Sequence, residues 1–208
     1  MLSAEQLTEK YALGQRNFER ADLKEAQMSF LQLKGARLCW ADFTSARLSK
    51  AQLDDADLTG AMMWRVDLRE ASCRWANLHQ ATMVRCEASE ANFAGANLHR
   101  ADLRLANLRG ANFSGTDLRG AKLCYSDLTD ADLTGADLTG ADLTGTNLKG
   151  ARMELACWRA ATLHRAQVDE TNPEKEKATA KSLQVAVQYS AEESSQRALQ
   201  GTENLAAC

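Results

Sequence analysis

The sequence predicts an all-β solenoid, a chain that coils into a rod, and three observations predict it. A five-residue period runs without a slip from Arg16 to Val168. Its clearest stretch reads Ala131-Asp132-Leu133-Thr134-Gly135, then Ala136-Asp137-Leu138-Thr139-Gly140, then Ala141-Asp142-Leu143-Thr144-Gly145. Five residues match neither the 3.6-residue period of a helix nor the two-residue period of a strand, so apolar groups stay on one side only if the chain coils. Second, each unit has a Leu, Phe or other apolar residue at its centre, with a small residue two positions earlier. That spacing puts both on the same side of an extended segment. Third, no other domain signature competes with the repeat: each unit has a neighbour to pack on, as in other repeat architectures.

Taken in chain order, the start reads as a cap. Ser3-Ala4-Glu5-Gln6 fits a capping box, and Gly14 fits a helix stop. A helix over 4–13 would lay Leu7, Tyr11 and Leu13 on the first coil, so residues 1–15 form an N-terminal capping helix. The repeat region, 16–170, follows. Its centres run Phe18, Leu23, Met28, Leu33 and onward in steps of five to Val168, which makes 31 units. The position two before the centre is Ala in most units and Thr, Ser, Cys or Val in most others, with Arg16 and Leu31 as outliers.

This pattern resembles the pentapeptide-repeat family, whose motif is A(D/N)LXX. The resemblance spans Arg16–Val168. It implies a right-handed quadrilateral β-helix with four repeats to a rung, and rungs stacked at about 4.8 Å. A twenty-residue phase then sorts the centres into four columns, and Phe93 and Phe113 fall on successive rungs of one column. Ten of the twelve glycines fall two residues after a centre, a corner position where positive φ is needed. Eight of the ten lie after residue 90, so more regular corners are expected in the second half. Long repeats of this kind are common in cyanobacteria, and the resemblance implies such a source.

After Glu170 the repeat stops, and Asn172-Pro173 reads as a helix start. A helix from Pro173 to Tyr189 is one reading of the next segment. Leu183, Val185, Val187 and Tyr189 alternate as a strand would, which is the other. Residues 191–208 are rich in Ser, Glu, Gln and Ala, so 171–208 reads as a C-terminal helix or tail, partly disordered.

Composition excludes several classes of function. Between Arg16 and Glu170 there are 20 Lys or Arg against 21 Asp or Glu, so the rod has no basic footprint for nucleic acid. No apolar run approaches the ~20 residues of a membrane span, and the first residues lack a signal-peptide pattern. None of the six cysteines forms a C-x-x-C pair, which argues against zinc and disulfide frameworks and for a reduced, cytoplasmic setting. His79 and His99 share a column one rung apart, but no third ligand is in phase, so no metal and no cofactor are expected. The many Asp residues belong to the repeat itself and are not evidence of acid–base chemistry. No catalytic residue is expected.

The informative departures are apolar residues at outward positions. Met62, Trp64 and Val84 face outward beside Arg65 and Arg85, with Leu105 and Tyr125 further along the same corner. Trp, Tyr, Met and Arg are the residue types enriched in protein interfaces. The leading expectation is a non-enzymatic scaffold that binds an unidentified protein partner on this face. A homodimer through the C-terminal end or the apolar face is a second form of it. No direct contact with nucleic acid or membrane is expected. The alternative comes from the resemblance: some members mimic DNA and modulate type II topoisomerases such as gyrase. That reading requires an acidic rod, and here arginines interrupt every face.

Overall fold

The computed structural model describes residues 4–169. From Asn17 onward the chain winds as a four-sided coil of twenty residues per rung. Parallel bridges join each residue before a centre to its equivalent twenty residues on, as in Asn17↔Arg37, Asp22↔Asp42, Gln27↔Arg47 and Gln32↔Gln52, and continue to Asn147↔Gln167. Every β contact is a single-residue bridge, because each unit turns a corner before a strand can lengthen.

The reason for the repeat is visible in the five N–H groups of one unit, Ala41–Ser45. Ala41 donates to the Leu38 carbonyl across the corner, at 3.1 Å. Asp42 donates to Ala21 on the rung before, at 2.9 Å, while Phe43 and Ser45 donate to Met62 and Trp64 on the rung after, at 2.7 and 2.8 Å. That leaves the N–H of Thr44, which no backbone carbonyl can reach. The Asp42 carboxylate takes it, at 2.9 Å. Where Asp or Asn precedes a centre, it is therefore a hydrogen-bond acceptor for the residue two positions later. The same bond recurs at Asn92–Ala94, Asn112–Ser114, Asp132–Thr134 and Asp142–Thr144.

The core is a stack of the four columns of centres, with the small residues between them. Leu23, Leu98, Leu118 and Leu138 are fully buried, and Phe93 and Phe113 stack with centroids 5.1 Å apart. Cys73 and Ala88, the smallest centres, are also buried, and the ladder runs through them unbroken. Where a hydroxyl replaces the small Ala, it bonds inward to backbone: Thr116 to the Phe93 carbonyl and Thr146 to that of Leu123, both at 2.8 Å.

Helix α1, Ala4–Ala12, lies at the start of the coil and buries Leu7. It ends in a Schellman motif: Gly14 sits at φ +88°, its N–H bonds to Tyr11, and Gln15 bonds back to Lys10. The Tyr11 hydroxyl donates to the Lys34 carbonyl at 2.7 Å, with the Arg16 guanidinium over its ring. Leu13 departs from the expectation. The turn at Gly14 directs it away from the first rung, and it is 88% exposed. Ser3 and the segment beyond Asp169, including the expected helix or strand over 173–189, lie outside the described residues.

The corners also depart from expectation. All thirty from residue 20 to 165 adopt the left-handed conformation, with φ between 53° and 70°, whether or not the residue is Gly. The first half is as regular as the second because the ladder dictates the conformation. A non-Gly residue accepts it at about 1 kcal/mol each. The corner side chain then leans toward the next rung. Trp40 lies across Gly60, Trp75 across Gly95 and Tyr125 across Gly145.

A methyl group on Gly60 would fall inside the Trp40 ring, whereas one on Gly140 would meet nothing within 4 Å. Gly140→Ala is therefore expected to lose about 1 kcal/mol, the backbone term alone. Gly60→Ala should lose more and expose Trp40, seen as a larger quenchable fraction of tryptophan fluorescence. Equal losses with unchanged quenching would contradict the corner packing.

Candidate interaction face

The second face of the coil, counted from the first rung, carries the apolar departures. Met62 is 47% exposed, Trp64 39%, Leu105 49% and Tyr125 60%. Val84 is half-buried between Trp64 and Arg104 in the same outward column. Arg65 and Arg85 occupy successive corners, with Leu105 and Tyr125 on the next two rungs. Arg65, Arg85, Glu87 and Leu105 line one open cleft. The Arg65 guanidinium sits 4.5 Å from the Trp64 ring centroid, so the indole is partly covered by its own neighbour. Trp40, Trp75, Phe30 and Leu155 are also exposed, but they stand singly on other corners.

This face breaks the hydrogen-bond rule of the repeat twice in succession. Met62 and Thr82 stand where Asp or Asn belongs. The other four N–H groups of each unit keep their usual partners, but those of Trp64 and Val84 meet no acceptor among the described residues. The N–H groups of Lys34, Ser49, Ser89 and Arg159, in units that also lack the Asp or Asn, are likewise without a backbone or side-chain acceptor among the described residues, while at one position the gap is filled. Ser72 also replaces the Asp, and there Asp54 reaches across from the rung below to take the Arg74 N–H at 3.0 Å. The gap at Trp64 was legible as Met at an Asp position, but only the bond pattern gives it a consequence.

The arginines differ in the same way. Arg69, Arg104 and Arg119 each fork onto the Asp two residues earlier in their own repeat, with distances of 2.6 to 2.9 Å. Arg65 and Arg85 have no carboxylate partner among the described residues. Glu87 lines their cleft, but its carboxylate accepts a bond from the Asn107 amide at 2.8 Å.

His79 and His99 meet edge to face at 5.2 Å, and no group of three or more His, Cys, Asp or Glu converges there or elsewhere among the described residues. Burial pushes the Cys39 and Cys124 thiols up to about 11 and the Cys86 thiol up to about 12, and raises Cys73 as well. These four are protonated near neutrality, the wrong state for a nucleophile or metal ligand. Burial alone would raise the carboxyls of Asp54 and Asp102, but bonds from Ser72, Arg74 and Arg104 outweigh it. At Asp67 and Asp117 the paired guanidinium is the largest influence. All four lie below the ordinary 3.8, the opposite of what a general acid requires.

The profile of the family described as "Pentapeptide repeats (8 copies)" matches residues 13–39, 37–72, 71–110 and 111–150. The chain belongs to the pentapeptide-repeat family. The family's fold is the right-handed quadrilateral β-helix, and the twenty-residue bridges correspond to its rungs. Among solved structures, the chain is similar to the pentapeptide-repeat protein Rfr23 of the cyanobacterium Cyanothece 51142, at 30% identity and TM-score 0.34. That match covers 50% of this chain and 60% of the other, so it spans only part of Rfr23. It is also similar to HetL of the cyanobacterium Nostoc sp. strain PCC 7120, a protein involved in heterocyst differentiation regulation, at 27% identity, 83% and 99% coverage and TM-score 0.28. The plasmid-mediated fluoroquinolone resistance protein QnrB1 matches at 19% identity, 79% and 91% coverage and TM-score 0.45. No curated protein matches the chain. No helix among the described residues is long and apolar enough to cross a membrane.

Two solution tests follow from this chemistry. A carboxyl with a depressed folded pKa contributes stability above its unfolded value, and loses it as pH falls through the folded one. The melting temperature should therefore hold level down to about pH 5 and fall steadily below about pH 4. A melting temperature that stays level from neutrality down through pH 4 and below would contradict the assignment. Reductant and EDTA should leave the melting temperature unchanged. A drop with either would reveal a disulfide or a structural metal.

Proposed function

We propose that this chain is a non-enzymatic scaffold that docks a protein partner on the second face of its β-helix. The observation that carries the reading is the concentration of Met62, Trp64, Val84, Leu105 and Tyr125 on one face, beside Arg65 and Arg85. Outward positions of this repeat accept polar residues freely, and neighbouring faces carry Asp, Asn, Thr and Arg there. Apolar side chains on successive rungs, exposed to water, form the kind of patch that marks a partner site. The repeat supports the docking surface by rigidity: the ladder already holds the side chains in place, so little ordering is left for binding. The gyrase-directed reading gains nothing from the charge, with 20 basic against 21 acidic residues between Arg16 and Glu170.

Trp64→Asp tests the reading. The indole points outward with the Arg65 guanidinium over its ring, so stability should change by about 1 kcal/mol or less. Association, measured by sedimentation for self-association and by affinity capture for other proteins, should weaken. Unfolding of the variant would place Trp64 in the interior. Unchanged stability together with unchanged association would mean that the face is exposed without a role.

A further inference from the structure

We infer that the second face recognises carboxylates, and that its partner is an acidic protein segment carrying apolar side chains next to its Asp or Glu residues. The inference rests on the reading of this face as the docking surface and names the chemistry of what docks there.

The argument begins with donors that lack acceptors. The N–H groups of Trp64 and Val84 lie one rung apart, at the outward position where the Asp- and Asn-bearing units place an oxygen; other units lack that oxygen too, but here two open donors adjoin exposed apolar side chains. In the same two units, Arg65 and Arg85 present guanidinium groups with no carboxylate partner among the described residues. Two backbone donors and two forked cations therefore face one short stretch of surface about 5 Å long, the spacing of adjacent rungs. The repeat supplies an internal demonstration of what fills such a position. Asp54, arriving from the neighbouring rung, accepts the Arg74 N–H at 3.0 Å and binds the Arg74 guanidinium at 3.0 Å with the same carboxylate. At Trp64 and Val84 the equivalent carboxylate is missing from the chain, and a partner's would complete it.

The surroundings select a protein over a nucleic acid. Trp64, Val84 and Leu105 give the cationic pair an apolar margin. A phosphate backbone has no apolar side chains to cover that margin, whereas a protein segment does. Two cations on a patch of this size suit a segment with a few carboxylates between apolar residues.

The test uses the full chain and a labelled peptide of Glu-Glu-Leu repeats, compared with the same peptide carrying Gln for Glu and with a single-stranded DNA oligonucleotide of equal charge. The wild type should bind the Glu peptide, with affinity falling as salt rises. Arg65→Gln with Arg85→Gln should weaken it by about tenfold or more. Met62→Asn with Thr82→Asn restores the internal acceptors. This pair should preserve or raise the melting temperature and still weaken the peptide severalfold. Equal binding of the Gln peptide, equal or tighter binding of the DNA, or affinity unchanged in both variant pairs would overturn the inference. If the Glu peptide does not bind at all while Trp64→Asp abolishes partner association, the docking face stands and the carboxylate inference falls.

Discussion

The ladder of backbone bonds between rungs is the constraint on which the rest of the structure depends, and one backbone N–H in every five residues finds no backbone acceptor in it. Inter-rung bonds hold three of the five donors and a corner bond holds a fourth, as the unit Ala41–Ser45 shows. Where Asp or Asn stands two residues earlier, its short carboxylate or amide oxygen reaches the fifth. This bond favours Asp or Asn at that position, while the bridges hold the register even in units that lack it. Each such bond contributes about 1 kcal/mol net, and the contribution recurs along the rod. The ladder is strong enough to force twenty non-glycine corners into the left-handed region.

The same oxygens organise the surface charge. Asp67, Asp102 and Asp117 each hold an N–H and grip an Arg from their own repeat, so the carboxylates are occupied inside the molecule. A rod built this way is richly charged yet offers little uncompensated charge to solvent, which separates it from a DNA mimic of uniform sign. The second face lacks this pairing in two successive units, as Arg20, Arg100 and Arg165 lack it singly elsewhere among the described residues. Replacing Asp with Met62 and Thr82 removes the oxygen, and with it the natural partner for nearby arginines. A single kind of substitution thus frees backbone donors, leaves cations unpaired and introduces apolar surface.

Rigidity links this chemistry to function. In a solenoid each unit packs on its neighbours alone, so a surface residue can change without disturbing distant rungs. The apolar and cationic side chains of the second face sit on the same ladder as the buried Leu and Phe columns. Their spacing is set before any partner arrives.

The sequence by itself determined the coil, its register and the identity of the core, because a five-residue period admits one inward pair per unit and the pair is easy to see. Phe93 and Phe113 could be stacked from their numbers alone, and the outward placement of Trp64, Leu105 and Tyr125 followed from the same count. Tertiary structure decided what depends on the neighbouring rung. Gly suggested that corners were regular only where Gly occurs, but the ladder imposes one conformation on Ser45 and Gly140 alike. Leu13 read as core until the Schellman turn directed it outward. The rescue of the Arg74 N–H by Asp54, and its absence at Trp64 and Val84, involves residues about twenty apart that no local pattern connects. Periodicity reports which way a side chain points. Whether it finds a partner there depends on contacts across rungs, and those exist only in the folded coil.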